Sequence, residues 1–175
     1  GSDTEVILSA FHMWKENCLS KFNGMWSFII YDSQSDRVFL SRDRFGKKPL
    51  FYLLFNNKYY FTSELKSFKA IYNFEFKINK TVAYEYLKFG FEDRTNSTFV
   101  EGVNCFPPGN YGWINLKQEK TISFRSFYDI KDSTRLSCKD LSFSEASDKI
   151  RSLVFDSIKL RLRADVQVST ALSGG

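Results

Sequence analysis

Histidine is nearly absent from this chain: His12 is the only one in 175 residues. A metal site built on imidazoles is therefore excluded, and the lack of any Cys-x-x-Cys spacing argues against a thiolate one. The three cysteines, Cys18, Cys105 and Cys138, are odd in number and far apart. That argues against a disulfide scaffold and fits a reducing, cytoplasmic setting. No apolar run approaches the length of a membrane span, and the N-terminus has no signal-peptide pattern. There is no initiating Met, and the opening GSDTEV reads as the middle of a motif, so both ends read as cuts.

What is present is material for a core. Hydrophobic residues make up 43% and aromatics 18% of the chain, which excludes wholesale disorder. The net charge is +5, with lysine and arginine dispersed along the sequence. The one local basic cluster, KLRLR at 159–163, alternates with leucines and has no aromatic stacking set beside it. Neither a nucleic acid nor a membrane is an expected partner.

Periodicity divides the chain in two. Asp3 or Thr4 is a candidate cap for a helix starting at Glu5, with Val6, Ile7, Ala10, Phe11, Trp14, Cys18 and Phe22 on one face and Asn23-Gly24 as its end. MWSFIIYD (25–32) is apolar nearly throughout and predicts a strand covered on both faces. SQSDR turns it into VFLSRD, and LFYLLF and KYYFTSEL form a second hairpin around Asn56-Asn57. Short helices are expected over 63–71 and 81–89. Strands YGWINL and TISFRSFY follow the Pro-Pro-Gly-Asn turn at 107–110. KDSTRLSCK is polar and aperiodic and reads as a linker, 131–140. Ser142 to Glu145 is a capping-box pattern, followed by a helical face of Ala146, Ile150, Leu153, Val154, Ser157 and Ile158. DVQVSTAL (165–172) reads as a buried strand that delivers Ser-Gly-Gly to a turn. The fold class is α+β, a β-rich unit joined to the opening of an α/β unit.

Two motifs carry chemistry. The ending Leu172-Ser173-Gly174-Gly175 places backbone amides where they can surround a phosphate, since glycines leave room for its close approach. A flexible tail of the same composition is the competing reading. In Ser41 to Tyr52 (SRDRFGKKPLFY), Asp43 can accept from turn amides, Gly46 can take a positive φ and Pro49 restrains the next strand. That describes a structural loop.

Six segments in order resemble glutamine-hydrolysing asparagine synthetases. GSDTEVIL resembles their S-D-x-E-V-I helix start, and FNGMWSFIIYD their L-N-G-M-F-A-F-A-I-W-D strand. SRDRFGKKPLFY resembles R-D-x-x-G-x-K-P-L-Y-Y, FTSELKS resembles F-A-S-E-I-K-A, and FPPGNY resembles P-P-G-x-Y. ADVQVSTALSGG resembles D-V-P-V-G-x-x-L-S-G-G, although it lacks that pattern's proline and first glycine. The middle segments are common to class II glutaminases, and the closing LSGG selects the synthetase branch.

The resemblance implies the second half of an αββα N-terminal-nucleophile sandwich (1–130), the linker, and the first helix and strand of an ATP-pyrophosphatase domain (141–175) related to the adenine nucleotide α-hydrolases. It implies an ATP-dependent asparagine synthase that takes nitrogen from glutamine and joins it to aspartate, with Mg2+ on the phosphates. Asp3 is implied as the ligand of glutamine's α-amino group, where a plain helix cap is the alternative. Leu172, Ser173, Gly174 and Gly175 are implied as ATP-binding residues. Arg42 and Asp43 are assigned a structural role. The glutaminase nucleophile of the family is an N-terminal cysteine. None of the three cysteines matches that position, and Cys18 reads as core, so the isolated chain is expected to be inactive. Half a sandwich has uncovered sheet edges, which predicts association of the free chain, and a homodimer is the assembly left open. The alternatives are a relative acting on another carboxylate or on a sugar acceptor, and a non-catalytic binding module.

Overall fold

The computed structural model describes residues 2–91, 94–117, 121–133, 141–164 and 166–169. The chain forms two units, Gly1–Ile130 and Lys131–Gly175.

The first unit opens with helix α1, Asp3–Trp14. Its N-cap is Ser2, not Asp3 or Thr4 as the sequence suggested. The Ser2 hydroxyl accepts the Glu5 amide at 3.4 Å, and the Glu5 carboxylate accepts the Ser2 amide at 3.3 Å. The helix also ends earlier than its apolar face implies. Lys15 adopts φ +48 and donates its amide to the Phe11 carbonyl, and a 3-10 segment over Lys15–Lys21 follows. The tighter winding turns Cys18 and Leu19 fully inward.

Strands β1 (Ser27–Asp32) and β2 (Arg37–Arg42) form a hairpin. The Asp32 carboxylate nucleates its turn, accepting from the amides of Gln34 and Ser35 and from the Ser35 hydroxyl. A second hairpin joins β3 (Phe51–Phe55) and β4 (Lys58–Thr62). Asn56 and Asn57, at φ +50 and +59, are the two-residue turn that matches the twist of the strands. Helix α2, Lys80–Phe89, is capped by the Asn79 side chain and ends on left-handed Gly90. β5 (Asn104–Cys105), β6 (Asn110–Asn115) and β7 (Ser123–Ser126) complete two antiparallel sheets, ordered β1-β2-β6-β7 and β4-β3-β5.

Alternation along β2 and β3 sets the layers. Phe39 faces α1 and packs with Ala10, Phe11, Cys18, Leu19 and Trp26. Its neighbour Leu40 faces the other way, joining Leu50, Phe106 and Ile114, with Tyr52, Tyr59 and Phe61 of the second sheet packed against them. Leu53, Phe68, Val100 and Val103 form a third cluster on the far face of that sheet. The order is helix, sheet, sheet, then loop and 3-10 cover. β1 corrects the expectation of a strand buried on both sides. It lies at the sheet edge, and Ile29 and Tyr31 are 40% and 57% exposed because the three-stranded sheet covers β2 and β6 instead.

After a helical turn, α3 (Ile130–Ser133), the second unit is described mainly by α4, Phe143–Arg161. The Ser142 and Glu145 capping box is formed as expected. None of the described residues of α4 is buried, so the face of Ile150, Leu153, Val154 and Ile158 is open. The expected strand over 165–172 is absent from its described part, Val166–Ser169. A strand is held by a ladder to a neighbour, and among the described residues of this unit no other strand offers one.

Candidate functional site

Asp3 stands in the first turn of α1 with its side chain exposed. Because Ser2 and Glu5 serve each other in the capping box, the Asp3 carboxylate is not engaged as the cap. The helix is held in place further along, where Phe11 meets Phe39 at 4.7 Å and Trp113 at 6.0 Å between ring centroids. From Glu5 onward an open groove of about 400 Å³ runs along the helix, lined by Glu5, Val6, Ser9, Ala10, Met13 and Trp14.

The loop between β2 and β3 is built around two side chains. The Asp43 carboxylate is almost fully buried and accepts the amides of Phe45, Lys47 and Lys48 at 3.1, 3.0 and 2.9 Å. Burial alone would push its carboxyl up, but these amides outweigh it and hold Asp43 below the usual carboxylate range. Arg42 ties the loop outward. Its guanidinium donates to the carbonyls of Gly46, Lys48 and Phe106 at 2.7, 2.8 and 2.7 Å, and to the Cys105 sulfur at 2.9 Å. Gly46, at φ +63, lies so close that an added Cβ would sit 2.9 Å from the Arg42 guanidinium carbon. The structural role expected of Arg42 and Asp43 is what the geometry has. The reach of Arg42 to the β5–β6 turn is the part that sequence reading missed. Its only signal was an arginine at a strand end four residues before the glycine-lysine pair.

Cys18 has no nucleophile geometry. Cys18 is fully buried, and burial, aided by the nearby Glu16 charge, pushes its thiol up to about 11. Cys105 is half-buried against Arg42. Cys138 lies outside the described residues, as do Leu172, Ser173, Gly174 and Gly175, so Asp3 is the only implied ligand with a described position. Among the described residues no group of three or more His, Cys, Asp or Glu could hold a metal ion, and no helix is long and apolar enough to cross a membrane.

Residues 1–128, the first unit almost to its last residue, match the family model of the glutamine amidotransferase domain. The chain belongs to that family. Curated relatives extend the similarity through the second unit. A putative glutamine-hydrolysing asparagine synthetase of Methanocaldococcus jannaschii is 33% identical over 177 residues, covering 100% of this chain and 33% of that protein. A glutamine-hydrolysing asparagine synthetase of Bacillus subtilis is 32% identical over 174 residues, 99% of this chain and 26% of the relative. Amidase chry2 of Gibberella zeae is 27% identical over 175 residues, 99% of this chain and 25% of the relative. The amidotransferase chain thus spans a quarter to a third of the length of these relatives.

Proposed function

We propose that this amidotransferase chain serves glutamine-dependent asparagine synthesis: it holds substrate glutamine through Asp3 and leads from the ammonia-releasing domain into an ATP-using one. The observation that carries the reading is the capping box of α1. With Ser2 and Glu5 satisfying the helix start, the Asp3 carboxylate is open to pair with the α-ammonium of an amino acid, a charge-assisted contact that orients the substrate. Matching of residues 1–128 to the amidotransferase family supports the substrate class. In this reading the helix-sheet-sheet layering belongs to an αββα N-terminal-nucleophile sandwich, 131–140 is a linker, and the setting is cytoplasmic.

The ATP side rests on sequence. Leu172, Ser173, Gly174 and Gly175 would hold the nucleotide through backbone amides, with Mg2+ on its phosphates, and ATP would activate the aspartate carboxylate for attack by ammonia. What this chain's own described residues contribute is binding and order: Asp3 positions the donor, and Asp43 and Arg42 give the β2–β3 loop its folded shape. Cys18 is sealed and protonated and cannot stand in for the family's N-terminal cysteine nucleophile, so we expect no glutaminase activity from residues 1–175 alone.

In an enzyme of the relatives' length carrying this sequence, Asp3→Ala should abolish synthesis from glutamine and spare synthesis from added ammonia. Equal loss of both activities would remove Asp3 from the glutamine site. A second reading, an amidotransferase acting on another acceptor, draws on the similarity to fungal amidases. Failure of aspartate to elicit AMP release in the same assay would favour it.

A further inference from the structure

Residues 126–128, near the end of the first unit, meet the β2–β3 loop through Gly109 and through aromatic side chains. Gly109 is buried, and its amide donates to the Asp43 carbonyl at 2.9 Å. Its own carbonyl accepts the amides of Phe127 and Tyr128 at 3.0 and 3.3 Å. The backbone of one residue therefore joins loop and terminal segment. At φ +64, with an added Cβ only 2.9 Å from the Tyr128 carbonyl and 3.4 Å from that of Arg44, only glycine fits between them.

The side chains repeat the connection. Tyr128 meets Phe45 edge to face at 5.7 Å, and Phe127 stacks on Trp26 at 5.9 Å. The Arg44 guanidinium carbon lies 5.8 Å from the Trp26 ring centre and 5.6 Å from that of Tyr128, while its nitrogens donate to the carbonyls of Phe22 and Ser20. Cation-π contacts and aromatic pairs depend on mutual ring and charge placement, so a shift of one segment is felt by the other.

We infer that residues 126–128 form a strap that opens and closes with the 43–48 loop as one cooperative unit, distinct from the β3–β4 hairpin. Because the chain passes through this strap immediately before the second unit begins, a displacement of the chain at Ile130 reaches the loop that Arg42 and Asp43 hold. The inference is independent of which substrate the domain takes.

Amide hydrogen exchange of the 175-residue chain, read residue by residue, tests it. Tyr128→Ala should speed exchange at the Phe45, Lys47 and Lys48 amides roughly tenfold or more while β3 and β4 amides keep their rates. Coupling is reciprocal, so Phe45→Ala should speed the Phe127 and Tyr128 amides. The Phe45 ring is 61% exposed, so this variant folds and decides the matter even if Tyr128→Ala does not. Unchanged partner amides in either folded variant, or an equal rise in β3 and β4, would overturn the strap.

Discussion

The carboxylate of Asp43 accepts the backbone amide of Lys48 at 2.9 Å, five residues along the same loop, from a position only 2% exposed to solvent. Two more amides converge on the same group. Alanine at 43 would leave three donors without their acceptor, and we expect Asp43→Ala to cost about 2–4 kcal/mol in urea unfolding. Asp43→Asn should cost less, since its carbonyl oxygen retains part of the bonding. A loss under about 0.5 kcal/mol for alanine would mean that the loop satisfies its amides in another way.

The same residue predicts a pH dependence. Its folded-state carboxyl lies below the ordinary value of 3.8, so its contribution is complete above that value. As pH falls further, towards the depressed value, that contribution is lost. Unfolding midpoints measured from neutral pH down to the acid limit should therefore fall more steeply below about pH 4 for the wild type than for Asp43→Asn.

Gly46 and Gly90 both have positive φ, +63 and +72, but differ in what surrounds them. Around Gly90 there is nothing within 4 Å of an added Cβ, whereas at Gly46 it would press on Arg42. Gly90→Ala should cost about 1–2 kcal/mol for the backbone alone. Gly46→Ala should cost that and also the displaced guanidinium bonds, about 1 kcal/mol or more in addition. Thermal melts of the two variants side by side check the order, and equal costs would show that Arg42 moves aside freely.

Cys18, with its thiol near 11, carries about one thiolate per thousand molecules at pH 8 and is closed to solvent. In folded protein, iodoacetamide should leave it unmodified under conditions that label it fully in urea, with the site located by mass spectrometry. Labelling of Cys18 at equal rates in both states would contradict the core described above.

Much of the first unit was legible because its signals are local. The Asn56-Asn57 turn and the Asp43 loop are each decided within about five residues, and each formed as expected, whereas the Asn79 cap and Gly90 end of α2 were equally local and went unread. What failed depended on distant chain. The α1 face runs on to Phe22 in sequence, but the left-handed turn at Lys15 stops the helix at Trp14 so that Cys18 and Leu19 can enter the core. MWSFIIYD has the composition of a central strand, yet pairing order puts β1 at an edge, and no period in the sequence encodes pairing order. Ser2 took the cap expected of Asp3 or Thr4, because its hydroxyl sits three residues before Glu5. The expected nucleotide loop was readable only as a string: Leu172 to Gly175 lie outside the described residues, and Val166–Ser169, the described part of the strand expected before it, forms none.

Trp26 is 8% exposed, donates its indole N–H to the Ser41 hydroxyl at 3.1 Å and lies beneath Arg44 beside Phe127. A shielded indole emits at shorter wavelength than a hydrated one, so the place where loop, strap and first sheet meet carries its own optical reporter. The other tryptophans are differently placed: Trp14 is 42% exposed, and Trp113 is stacked under Arg37 within the sheet. A red shift confined to the Trp26 contribution, isolated by replacing the other two with phenylalanine, would mark the loop letting water in before the domain unfolds.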